Sequence, residues 1–153
     1  VAWRSGGGGW ARVEGPAVPA GSPGWPGPCA GAGEVTLVQG GVEDRPVLWR
    51  TTDGEAFEPV DVFDPGDRLT AVRPLEGGAG FVAAGHRTAG GRDEAVVWLS
   101  PDGARWRAVA VPAERQVTAA DVVVWGDRVV VALDSATDPE VWVLEDVAGL
   151  VPG

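Results

Sequence analysis

Five amino acids are absent from this chain: lysine, isoleucine, asparagine, tyrosine and methionine. Without asparagine there is no N-glycosylation acceptor. Without lysine no P-loop can be built, so Gly6 to Gly9 reads as a loose turn and not as a phosphate cradle. The missing residues are those whose codons are rich in A and T, which points to a GC-rich genome. The chain opens on Val1 and carries no methionine, the pattern expected of a processed protein or a piece of a longer one. Cysteine is nearly absent as well. Cys29 stands alone, which excludes an internal disulfide and a cysteine-built metal site; it reads as a bystander, or as half of a pair with a cysteine elsewhere. His86 is the single histidine. It has no second histidine for zinc and no nucleophile elbow to serve, so it reads as structural or surface.

Long apolar runs are lacking too. The longest stretch, Val122 to Trp125 and Val129 to Leu133, is interrupted by Gly126, Asp127 and Arg128. Nothing approaches the roughly 20 residues that cross a bilayer, so no membrane insertion is expected. Positive charge is scarce: arginine supplies all 12 basic residues against 22 acidic ones, for a formal charge of −10 and a pI near 4.4. A phosphate-binding surface needs clustered positive charge, so nucleic acid is not an expected partner. The chain is nonetheless not disordered, since 44% of it is hydrophobic. Its 24 glycines and 13 prolines imply many turns and few long helices.

What is abundant is tryptophan, and it recurs. Trp3, Trp49, Trp98 and Trp142 are spaced by 46, 49 and 44 residues. Each sits in an apolar run: Val1–Arg4, Val47–Arg50, Val96–Leu99 and Val141–Leu144. Each run is followed by a turn and a second apolar anchor: Trp10, Phe57, Trp106 and Leu150. A second register agrees: Leu69-Thr70-Ala71-Val72 matches Val117-Thr118-Ala119-Ala120, and each is followed by a strand opening at Phe81 or Val129. In the best-kept unit four strands are predicted, at about 69–75, 80–87, 95–100 and 105–111. No segment holds a 3.6-residue period, so no helix is predicted. The expected fold is all-β: a β-propeller of four-stranded antiparallel blades, with about three and a half blades in 1–153. These are a half blade at 1–14 and blades at about 20–63, 66–112 and 115–151. Such a set does not close a ring, so either additional blades or a second copy is expected to complete it.

The turn between the third and fourth strands is the most specific motif. Ser100-Pro101-Asp102-Gly103-Ala104-Arg105-Trp106 has the counterpart Thr51-Thr52-Asp53-Gly54-Glu55-Ala56-Phe57 one unit earlier. This resembles the Asp-box, or bacterial-neuraminidase repeat, and the whole chain is similar to the Trp-rich propellers of secreted actinobacterial proteins. Here glycine follows aspartate directly, whereas the usual box has a residue between them. The box is also lost at Ser5 and at Glu145-Asp146-Val147.

The resemblance implies a propeller fold, a secreted or cell-envelope location, and structural roles for Thr51, Asp53, Gly54, Phe57, Ser100, Asp102, Gly103 and Trp106. Asp-Gly is a favoured hairpin pair, and the carboxylate can accept turn N–H groups. Trp3, Trp49, Trp98 and Trp142 read as repeat core, with sugar stacking as the sharper alternative.

Chemistry is sparse beside this. Asp-box families include sialidases, other glycoside hydrolases, sortilin-type receptors and non-enzymatic assembly factors. The resemblance implies a tyrosine nucleophile for a sialidase, and this chain has none. Asp61, Asp64 and Asp67 form an acidic loop, read as solvated, with a cation site as the alternative. Asp134, Asp138 and Glu140 form a similar one. Gly78-Ala79-Gly80-Phe81-Val82-Ala83 fits a dinucleotide pattern but lies in a hairpin with no following helix, so no cofactor is expected. The expected function is a non-catalytic recognition or scaffold module for a carbohydrate or protein ligand. The alternatives are a part of a glycoside hydrolase propeller and a half-propeller that self-assembles into a ring.

Overall fold

The structure is a computed structural model that describes residues 2–6, 9–18, 20–43, 45–61, 63–111, 118–134 and 139–151. Asp138, Gly7, Gly8 and Val117 lie outside the described residues. The described chain is all-β: thirteen strands fall into four antiparallel sheets, each following the order of the sequence. Sheet I pairs β1 (Ala2–Gly6) with β2 (Gly9–Val13). Sheet II runs β3 (Gly24–Ala32), β4 (Val35–Val42), β5 (Arg45–Thr51) and β6 (Glu58–Val60). Sheet III runs β7 (Asp67–Pro74), β8 (Phe81–Ala89), β9 (Arg92–Ser100) and β10 (Arg107–Ala110). Sheet IV runs β11 (Thr118–Trp125), β12 (Arg128–Asp134) and β13 (Glu140–Leu144).

Sheets II, III and IV share one register. Trp49, Trp98 and Trp142 pair with Val38, Ala83 and Val131, which in turn pair with Cys29, Val72 and Val122. Just before that last residue, each first strand carries an irregularity: between Pro26 and Cys29, between Leu69 and Ala71, and between Ala119 and Asp121. A β-bulge bends and twists its strand. The same irregularity thus recurs at the same place in the first strand of all three sheets.

Sheet III is buried on both faces. Alternation along a strand sends successive side chains to opposite sides. Phe81, Ala83, Val96 and Trp98 face sheet II and meet Ala30, Leu37 and Leu48. Val82, Ala84, Val97 and Leu99 face sheet IV and meet Val122, Val129, Val131 and Leu133. This is why Phe81–Ala84 and Ala95–Leu99 read as unbroken apolar runs: both faces need apolar side chains. Gly85 lies where β7 crosses closest, opposite the bulge; a Cβ there would come within 1.9 Å of the Arg68 carbonyl oxygen.

The fourth unit departs from the four strands expected of each unit. After β13 the chain makes one helical turn, α1 (Val147–Leu150), entered through Asp146 in a left-handed conformation at φ 53°. The Ser/Thr-x-Asp-Gly turn that delivers a fourth strand in sheets II and III is absent from Glu145-Asp146-Val147. Val147 is buried and Leu150 packs against the same core, so the anchor expected at 150 packs from a helical turn. Trp10, another expected anchor, is exposed on sheet I.

Candidate functional site: two repeated turns and a buried ion pair

The two Asp-Gly turns are built alike, bond for bond. In sheet II, Thr51 Oγ1 accepts from the Gly54 N–H at 2.9 Å, and Asp53 Oδ1 accepts from Glu55 and Ala56 at 2.7 and 2.9 Å. In sheet III, Ser100 Oγ accepts from Gly103 at 2.8 Å, and Asp102 Oδ1 accepts from Ala104 and Arg105 at 2.9 and 2.8 Å. Gly54 and Gly103 take φ of 72° and 75°, which favours glycine. Phe57 and Trp106, both half-buried, stand immediately before β6 and β10. Trp106 also donates its indole N–H to the Gly103 carbonyl at 3.0 Å.

The turns are tied across sheets. Arg50, one residue before the first turn, donates from Nε to the Asp102 carbonyl of the second at 3.0 Å. A Cβ on Gly103 would sit 2.9 Å from Leu37 Cδ2, so this turn lies directly against sheet II.

Asp102 carries a perturbed charge. Burial alone would raise its pKa, but the Arg105 and Ala104 N–H groups and the Arg105 guanidinium, at 2.9 Å, outweigh it and bring the value down to about 2. Asp53 is lowered as well, chiefly by the N–H groups of Glu55 and Ala56. A carboxylate whose pKa falls on folding stabilises the fold above its unfolded value, and that contribution is lost as pH drops through the folded one. Between pH 5 and pH 2 the wild type is therefore expected to lose about 1 kcal/mol that an Asp102→Asn variant does not lose, allowing for solvent screening. Urea unfolding of both proteins across that range measures the difference.

At the opposite ends of the strands lies the acidic loop. Asp67 is fully buried. Arg87 of β8 donates to it twice, Nε to Oδ1 at 2.7 Å and Nη2 to Oδ2 at 3.0 Å, and reaches Asp64 at 3.0 Å. The Asp64 N–H donates to Asp67 Oδ2 at 2.9 Å, and the Asp67 N–H returns to the Asp64 carbonyl at 2.8 Å. Hydrogen bonding to Asp67, opposed by partial burial, raises the Arg87 pKa further. Two of the three carboxylates weighed as a cation site thus bind a guanidinium from their own chain. Asp61 lies apart from that pair of bonds. It lines an open cleft of about 480 Å³ with Arg45, Pro46, Pro59, Phe63 and Asp64.

The remaining candidates are scattered. Trp49 and Trp98 are buried, Trp142 is half-buried, and Trp3 lies in β1. Glu140 accepts weakly from the Trp142 indole at 3.4 Å, and Asp134 closes β12. His86 is half-buried on β8, with Nδ1 enclosed and lacking a partner among the described residues, as is Gln39 Oε1. Cys29 is exposed and unpaired on β3. Among the described residues no three histidine, cysteine or acidic side chains group as a metal site, and no helix is long and apolar enough to cross a membrane.

The sequence reading missed Arg87 and Arg50. Their roles depend on strand register and sheet stacking, and no local pattern signals either one. Neither the profiles of known protein families, nor the curated proteins, nor the solved structures contain a match to this chain.

Proposed function

We propose that the chain is a run of β-propeller blades of the Asp-box kind, serving as a non-catalytic, extracytoplasmic recognition or scaffold module. The observation that carries this reading is how its most chemically suggestive carboxylates are engaged. Asp53 and Asp102 close their own turns, and Asp64 and Asp67 hold Arg87. Groups committed to the fold in this way are poor acids, bases or nucleophiles, because using them would undo the turn that presents them. Rigid sheets carrying variable loops are suited to binding instead.

The rim opposite the Asp-Gly turns supports the reading best. Its cleft joins a guanidinium, two carboxylates and the Phe63 ring, a mixture that suits a carbohydrate or peptide. The test is a glycan and peptide array probed with the purified chain, repeated with Arg45→Glu. A ligand held by the wild type and lost by the variant is the expected result. Turnover of a glycoside by the wild type, lost on Asp61→Asn, would overturn the reading in favour of a hydrolase. The half-propeller that self-assembles stands as a second reading, favoured by the exposed apolar residues on the outer face of sheet IV.

A further inference from the structure

The outer face of sheet IV is apolar and, among the described residues, has nothing packed on it. Val123, Val141 and Val143 are exposed there, Trp125 is 68% exposed, and Val130 and Ala132 lie between them in register. Four of the seven large hydrophobic residues exposed among the described ones are on this one face. Single exposed apolar residues are ordinary on protein surfaces, whereas a contiguous set on one sheet face marks an interaction surface.

The shared register says what kind of surface it is. Matching Trp142 to Trp98 places Val130, Ala132, Val141 and Val143 at the positions of Val82, Ala84, Val97 and Leu99. In sheet III those four residues are buried against sheet IV. Matching Trp98 to Trp49 places Val82 and Val97 at the positions of Leu37 and Leu48, which are buried against sheet III. So at two successive levels these positions receive the next sheet, and both times that sheet brings a tryptophan on its third strand: Trp98, then Trp142. Their side chains are small or medium at each level, which leaves room for the incoming ring. Trp125 stands on the same face, beside these four positions and outside them.

By sequence spacing β1 is the counterpart of β5, β9 and β13, since it carries Trp3 at the repeat position of Trp49, Trp98 and Trp142. We infer that the outer face of sheet IV is a docking surface for a second copy of this chain, which joins head to tail by placing its sheet I there. This deepens the self-assembly reading. A heterologous contact of this sort closes into a ring or runs on into a longer assembly.

Sedimentation velocity on the intact chain over a wide concentration range tests this, beside Val143→Glu, whose exposed position leaves the fold intact by near-ultraviolet circular dichroism. The expected result is a species of at least twice the 15.7 kDa of one chain, with association weakened about tenfold or more by Val143→Glu. Val143→Glu keeps sheet I, so fluorescently labelled wild type titrated with the variant is expected to bind it. A wild type that stays monomeric would overturn the inference and leave the face to some other occupant, with the recognition reading still standing. Association that survives Val143→Glu would place the contact elsewhere. Failure of the variant to bind wild type would show two sheet IV faces meeting each other, and would overturn the head-to-tail arrangement.

Discussion

Replacing Trp98 by alanine is expected to lower the unfolding free energy by about 4 kcal/mol, whereas Trp125→Ala changes it by about 0.5 kcal/mol or less. Both are tryptophans on strands of neighbouring sheets, so their environments decide the contrast. Trp98 is 2% exposed and sits in the core between sheets II and III. The Phe63 ring meets it edge-on at 5.4 Å and 87°. Truncation would open a cavity lined by Leu69, Val72 and Phe81, which belong to strands fixed by their own hydrogen bonds and cannot collapse inward. Trp125 is 68% exposed, with the Arg128 guanidinium over it at 5.9 Å. Chemical denaturation measures both variants, the midpoint falling for Trp98→Ala at unchanged slope. The result also separates the two readings of the repeat tryptophans. A sugar-stacking residue would lose binding and keep stability; a core residue does the reverse. A loss of 4 kcal/mol is a large share of the 5 to 15 kcal/mol, roughly, that holds a domain together.

The all-β class was legible because its signals are local. Apolar runs of strand length, Asp-Gly pairs and a tryptophan recurring at a near-constant period all lie within short windows. The bond pattern at Thr51–Ala56 and Ser100–Arg105 was legible for the same reason: each turn closes on itself within a few residues. What could not be read depends on distance in sequence. Asp67 looked like one member of a solvated acidic loop, yet it is buried under Arg87, 20 residues away, because β7 and β8 pair Asp67 opposite Arg87. The bulges that recur in the first strands of three sheets leave no sequence mark either. Two residues before Cys29, Val72 and Val122, position 27 is glycine, 70 is threonine and 120 is alanine, with no residue type in common. The missing fourth strand of sheet IV was half legible. The loss of the box at Glu145-Asp146-Val147 was visible, but its replacement by a helical turn follows from how Val147 and Leu150 fill the core beside sheet III.

Removing the Asp67 carboxylate is the other large effect. Asp67→Ala is expected to cost about 3 kcal/mol, since it deletes both Arg87 bonds and the bond from the Asp64 N–H together. The value lies toward the lower end for a buried pair. The Arg87 side chain is 34% exposed, so water can take part of the abandoned guanidinium, and Asp64 remains beside it at 3.0 Å. Arg87→Ala is expected to cost at least as much, because it leaves a carboxylate with 1% exposure and no cation. The double variant should then lose well under the sum of the two, with a coupling of about 2 kcal/mol in a double-mutant cycle read by urea unfolding. Additive losses would mean that the two side chains act separately, and that the acidic loop is held by its backbone bonds alone. Strong coupling would fix the loop's role. Its carboxylates would serve to anchor the connection between sheets II and III onto β8, and the cleft beside them would owe its shape to that anchor.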